Sequence, residues 1–113
     1  MNDKSQLMRG TIEGCILKII NIKTTYGYEI VEQLEQYGFT EIKEGTIYPL
    51  LLRLEKKNLI TSEFRPSPLG PSRKYYSLTK EGYLTLNYFI KNWNEISHSV
   101  NTILSIGGQI NEK

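Results

Sequence analysis

Lys43, Thr46, Tyr48 and Arg53 belong to the stretch Lys43-Glu44-Gly45-Thr46-Ile47-Tyr48-Pro49-Leu50-Leu51-Leu52-Arg53-Leu54-Glu55-Lys56-Lys57-Asn58-Leu59-Ile60. Within it, Ile47, Leu50 or Leu51, and Leu54 recur at helical spacing and make one buried face. Thr46, Tyr48, Arg53 and Lys56 fall off that face and are free to touch something outside. Hydroxyls and cations so placed can hydrogen-bond base edges and neutralise phosphates, which is the chemistry of a helix laid in a DNA major groove. About twenty residues later, Arg73-Lys74-Tyr75-Tyr76-Ser77-Leu78 follows a proline-rich turn that Arg65 precedes. Arg65, Arg73 and Lys74 would contact phosphates through counterion release, with a strong salt dependence. Tyr26 opens another helix, where its hydroxyl could reach a phosphate. Tyr28, Tyr75 and Tyr76 are expected as core edges, because duplex DNA exposes few base faces for stacking.

Catalytic chemistry finds little support. His98 stands alone on a helix, and Cys15 is the one cysteine, inside an apolar run. A single thiol makes no internal disulfide, and one Cys with one His makes no metal set. There is no acid–base pair with a nucleophile and no glycine loop that would cradle a phosphate. The sequence therefore predicts no enzyme, no cofactor and no metal site.

The 113 residues suffice for one domain with a modest core, and 39% hydrophobic with 23% charged residues fits an ordinary globular domain. Fourteen Lys and Arg against twelve Asp and Glu give a net charge of only +2, so any DNA contact must come from where the charge sits. No signal peptide or membrane span is visible, and a cytoplasmic protein with no membrane partner is expected.

The elements that would position these residues can be read from periodicity. Leu7, Met8, Ile12, Cys15, Ile16, Ile19 and Ile20 predict one helix over about Ser5 to Ile22, with Gly10 and Gly14 on a shared face open to a close neighbour. Lys23-Thr24-Thr25 offers hydroxyl caps, and a second helix runs from about Tyr26 to Tyr37, stopped by Gly38. After a short linker comes the helix that carries Thr46. It either starts near Thr46 or starts earlier and bends at Pro49, since proline is easy only in a first turn. Leu59 to Arg65 and Arg73 to Leu78 are strands, with Pro66 to Ser72 as the loop between them. Thr79 caps a last helix from about Lys80 to Ser105. On it Leu86, Trp93 and Val100, and also Phe89, Ile96 and Ile103, are spaced seven apart, which makes a heptad seam needing a partner. The simplest partner is a second copy of the chain. Gly107-Gly108 ends that helix, and Gln109 to Lys113 is expected to fray.

The order of these segments resembles the PadR family of bacterial transcription regulators. The resemblance is carried by Leu7-Met8-Arg9-Gly10-Thr11, Tyr26-Gly27-Tyr28-Glu29-Ile30, Glu44-Gly45-Thr46-Ile47-Tyr48-Pro49-Leu50-Leu51 with Arg53-Leu54-Glu55, and Arg73-Lys74-Tyr75-Tyr76 with Leu78-Thr79-Lys80-Glu81-Gly82. The short C-terminal region resembles the compact, LmrR-like subgroup with a single C-terminal dimerisation helix. That resemblance implies a homodimeric repressor of multidrug exporters whose Trp93 lines a hydrophobic slot at the dimer centre. Leu7, Phe89 and Ile96 would line the same slot around a small planar or apolar effector. Two departures stand out. Lys43 replaces the Ser or Asn that caps the recognition helix in relatives, and Pro66, Pro68 and Pro71 stiffen the wing.

The resulting expectation is a mainly α protein with a small β-hairpin, built as a winged helix-turn-helix with a long C-terminal dimerisation helix. Residues 1–79 would form the DNA-binding domain, 80–106 the dimerisation helix and 107–113 a flexible tail. Recognition would fall to the helix at about 44–57 and the wing at about 65–74, on a near-palindromic double-stranded operator. The alternative is a winged helix used for protein interaction through the 86–103 seam.

Overall fold

The helically spaced apolar residues bury one another. The computed structural model describes residues 4–108. Ile16, Leu17 and Ile20 come from α2 (Ile12–Ile22), and Ile30 and Leu34 from α3 (Gly27–Gln36). Ile47, Leu51 and Leu54 of α4 (Glu44–Lys56) close the core against them, with Ile60 from β2 (Ile60–Ser67), Tyr76 from β3 (Gly70–Leu78) and Leu86 from α5 (Lys80–Leu104). The last helix leaves this core along its own axis, so the chain measures 57 × 28 × 20 Å. None of the described helices is long and apolar enough to cross a membrane.

The first predicted helix is two helices. α1 spans Lys4–Met8, and Gly10 then turns into the left-handed region at φ +90°. The Thr11 amide and hydroxyl both donate to the Met8 carbonyl, at 2.9 and 2.7 Å, before α2 begins. Gly14 behaves as expected: a Cβ there would collide with the Phe89 ring, so its absence lets α5 lie close on α2. Gly10 has open space around it and serves the turn alone.

The sheet also has one strand more than predicted. β1 (Thr25–Tyr26) pairs antiparallel with β3, giving the order β1-β3-β2. Thr25 is fully buried and donates its hydroxyl to Glu29, so it does not cap α3 as expected. Tyr26 holds the N-cap position of α3 without a side-chain cap bond. The wing strands run further than predicted, leaving Pro68 and Leu69 as the turn between Ser67 and Gly70. Pro66 fits because β2 is an edge strand and the ladder is irregular between Arg65 and Ser67, where a missing N–H costs nothing.

Two left-handed residues set the direction in which the chain leaves α3 and α4. Gly38 (φ +111°) ends α3, with the Phe39 amide returning to the Leu34 carbonyl at 2.9 Å. Asn58 (φ +63°) ends α4 in the same way through Leu59 to Leu54 at 3.0 Å, and the chain turns directly into the wing. As predicted, Thr79 caps α5, its hydroxyl oxygen accepting from the Gly82 amide at 2.9 Å. Gly107 and Gly108, both at positive φ, follow the end of α5, and the expected fraying of 109–113 lies outside the described residues.

Candidate nucleic-acid interface

α4 settles the open question at Pro49. The helix begins at Glu44 with Lys43 as N-cap, so the proline lies inside it. Pro49 has no N–H to give the carbonyl one turn back, at Gly45. Lys43 makes no side-chain cap bond, as its chemistry dictates, because an ammonium has no acceptor. Its backbone carbonyl accepts from Thr46 at 2.9 Å and Ile47 at 3.1 Å.

With Ile47, Leu51 and Leu54 inward, a rotation of about 100° per residue puts Gly45, Pro49, Leu52 and Lys56 opposite them. All four are exposed. Thr46 and Tyr48 are exposed too, but they flank this line. Tyr48 is held in place: a Cβ on Gly27 would come within 2.7 Å of its hydroxyl, so the ring rests on the bare backbone at the start of α3. Burial raises the Tyr48 phenol above its usual pKa, and the Glu44 carboxylate adds to the shift.

The cations are ordered by specific partners. Arg53 is salt-bridged to Glu13 of α2, which ties α4 to its neighbour. Lys74 reaches Glu55 at 3.2 Å and lies 5.8 Å over the Tyr76 ring. Arg65 bonds Glu63 at 2.8 Å and stacks 4.8 Å over Tyr75. Arg73 lies 4.5 Å over the Tyr26 ring, and Tyr26 meets Tyr75 edge-on at 5.3 Å. No acidic partner of Arg73 or Lys43 is found among the described residues. Tyr26, Tyr48, Arg73 and Lys74 thus converge on one cleft of about 420 Å³ between α4 and the wing, with Leu52 and Phe64 on its walls.

Glu55 belongs to the motif Arg53-Leu54-Glu55, but the sequence assigned it no role of its own. It accepts from Ser62 of β2 at 2.6 Å and pairs with Lys74 of β3, so one carboxylate at the end of α4 holds both wing strands. The Ser62 hydrogen bond, followed by Lys74, keeps its carboxyl below the ordinary glutamate range despite partial burial. Leu52 was also passed over. The signal for it was its place opposite the buried face, seven residues after Gly45.

The seam on α5 divides in two. Leu86 is 2% exposed and belongs to the chain's own core, which corrects its expected place in a dimer interface. Phe89 packs on Gly14 at the edge of that core and borders a cleft of about 300 Å³ between α2, α4 and α5. Trp93, Ile96, Val100 and Ile103 are exposed along one stripe of α5, and Leu7 is exposed on α1.

Comparison with known proteins agrees with this geometry. The sequence model of the PadR-like family of transcriptional regulators matches residues 16–87. The chain is similar to a PadR-like transcriptional regulator from Bacillus cereus, at 46% identity, TM-score 0.81, and coverage of 88% of this chain and 96% of that one. A PadR family transcription regulator from Clostridium difficile is 40% identical, with TM-score 0.76 over 84% of this chain and 99% of its own. An uncharacterised protein of Lysinibacillus sphaericus is 33% identical over 103 residues, 89% of this chain and 94% of its own. With a winged-helix fold and a family match over most of its core, the chain belongs to the PadR-like family of transcriptional regulators and is a DNA-binding regulator, not an enzyme.

Proposed function

We propose that the protein is a homodimeric repressor whose grip on a near-palindromic operator is loosened by a small planar or apolar effector. The observation that carries the DNA face is the cluster of Arg73, Lys74 and Arg65 on the wing beside the exposed side of α4. Lys43, Thr46, Tyr48 and Arg73 are the contacts assigned to phosphates and base edges, with Tyr26 beside them. Arg53, Arg65 and Lys74 would have to leave or share their carboxylates to join. Two recognition helices related by a twofold axis would enter successive major grooves, with half-sites ~10 bp apart or a multiple of it.

The stripe Trp93, Ile96, Val100 and Ile103 supports self-association through residues 80–106, since four large apolar side chains on one exposed face favour burial. Trp93 facing its copy, with Ile96, Leu7 and Phe89 nearby, would give a flat apolar slot for the effector. Such a ligand acts only as far as it binds one dimer geometry better than the other.

The same stripe favours a second reading, in which it binds a different protein. Fluorescence anisotropy separates the two. Labelled DNA from upstream of the protein's own gene is compared with a scrambled duplex of equal length at several salt concentrations. Binding selective for the native duplex, steeply weakened by salt and relieved by a planar apolar dye, supports the repressor. Equal weak binding to both, with a monomeric chain, supports the protein-interaction reading.

A further inference from the structure

The middle of the recognition helix's outward side is apolar. Pro49 and Leu52 are three residues apart on it, and Leu52 is 61% exposed. Phe64 of β2, 70% exposed, lines the same cleft as Leu52. Around this patch stand Lys56 at one end of the helix and Arg73 and Lys74 on the wing, with the Glu55 carboxylate paired to Lys74. An apolar centre with Arg73 and Lys56 at its rim, and with Lys74 shared with Glu55, fits a surface that is anionic at its edges and apolar at its middle.

A DNA major groove has that pattern. Its walls are phosphates, and the apolar group on its floor is the C5-methyl of thymine. Pro49 has no N–H and Leu52 no polar atom, so neither side chain can read a base by hydrogen bonding. Both can read a methyl by contact. Gly45 lies on the same line one turn earlier with nothing within 4 Å of where a Cβ would be, so the helix can sit deep in the groove there.

We propose that Leu52, with Pro49 beside it, is a specificity-determining residue that recognises thymine through its C5-methyl group. The inference rests on α4 being the helix that enters the groove. It adds an apolar element of sequence readout to the polar contacts of Thr46 and Tyr48.

The test begins with duplexes selected by the protein from a random pool. Each thymine of a selected duplex is then replaced singly by deoxyuridine, which keeps the base pairing and removes only the methyl. Wild-type protein should lose about fourfold in affinity at one thymine per half-site, the equivalent of ~0.8 kcal/mol for one buried methyl-sized group. In Leu52→Ala the same uracil should cause no further loss, while Leu52→Met should keep the sensitivity. Circular dichroism melting confirms that the variants fold, as an exposed side chain predicts. If no thymine is sensitive, or if Leu52→Ala suffers the same uracil penalty as wild type, the proposal is overturned while the DNA-binding reading stands. If selection enriches no sequence at all, the groove-entering role of α4 falls and the proposal falls with it.

Discussion

Arg65 and Arg73 are direct partners across the wing ladder, two cations held opposite each other on neighbouring strands. Like charges in that register destabilise a hairpin by a few tenths of a kcal/mol or more. Glu63 and the rings of Tyr75 and Tyr26 offset the repulsion within the chain. A phosphate laid along the wing would offset it further. The double variant Arg65→Ala/Arg73→Ala should therefore melt no lower than wild type and yet bind DNA more weakly. The slope of log affinity against log salt should flatten by about 2, roughly 0.9 for each lost phosphate contact, with no change in preferred sequence. Anisotropy titrations across a salt series, with a thermal melt beside them, read these outcomes.

Glu55 joins the recognition helix to both wing strands, and its effect should follow pH in a defined direction. Its folded carboxyl lies below the usual 4.5, mainly because Ser62 donates to it and then because Lys74 pairs with it. A lowered folded pKa gives stability that is fully present above the ordinary value and lost as pH falls through the lower one. Thermal melts from neutral pH down through the carboxylate range should show the Glu55→Gln variant losing less stability on acidification than wild type. The difference at neutral pH should be below ~1 kcal/mol, the scale of a partly exposed pair. Because the substitution removes the carboxylate that holds Lys74, the variant should also gain salt dependence in DNA binding, which a purely structural role would not produce.

Gly14 is where α5 meets α2. Any Cβ there drives into the Phe89 ring, which is packed at the core edge and cannot swing away without cost. Gly14→Ala should destabilise the chain by ~1–3 kcal/mol, the usual range for overpacking. A lowered midpoint in urea unfolding with an unchanged slope would record it. Adding Phe89→Leu should recover part of the loss, since it removes the colliding ring edge.

Trp93 is the one tryptophan, so its emission reports on a single place in the chain. It is 49% exposed in the isolated chain. If α5 pairs with its copy, native emission should be blue-shifted relative to a Val100→Asp variant, in which a charge interrupts the stripe. Sedimentation should give a mass near twice 13.1 kDa for wild type and a single-chain mass for the variant. A planar apolar dye should quench Trp93 in the dimer, and this quenching should disappear with dissociation.

Much of the architecture could be read from spacing. The buried faces of α2, α3 and α4, the Gly38 stop and the Thr79 cap all follow from local rules that tertiary packing did not override. The failures have local causes as well. Gly10 broke a helix that apolar periodicity alone ran together, because periodicity carries no record of a φ of +90°. β1 is two residues long and exists only through pairing with β3, so no run of its own residues could announce it. Leu86 had the heptad position of an interface residue and the depth of a core residue, and spacing cannot tell these apart. The cations Arg53 and Lys74 were legible as cations, but their carboxylate partners Glu13 and Glu55 are distant in sequence and became visible only in the fold.

The first turn of α5 is fastened to the start of the wing at three points. The Thr79 amide donates to the Leu59 carbonyl at 3.1 Å, the Thr79 hydroxyl donates to the Asn58 carbonyl at 2.7 Å, and a Cβ on Gly82 would strike the Leu59 carbonyl. That junction makes α5 a lever arm with its fulcrum beside the recognition helix. At 25 residues and ~1.5 Å per residue the arm is ~37 Å long. A tilt of roughly 5° at the fulcrum therefore carries the far end through about 3 Å at this rise per residue. The mechanical advantage also runs the other way: a displacement of roughly an ångström or two at the far end of the arm becomes a change of heading for α4 and the wing, with no hinge needed in between.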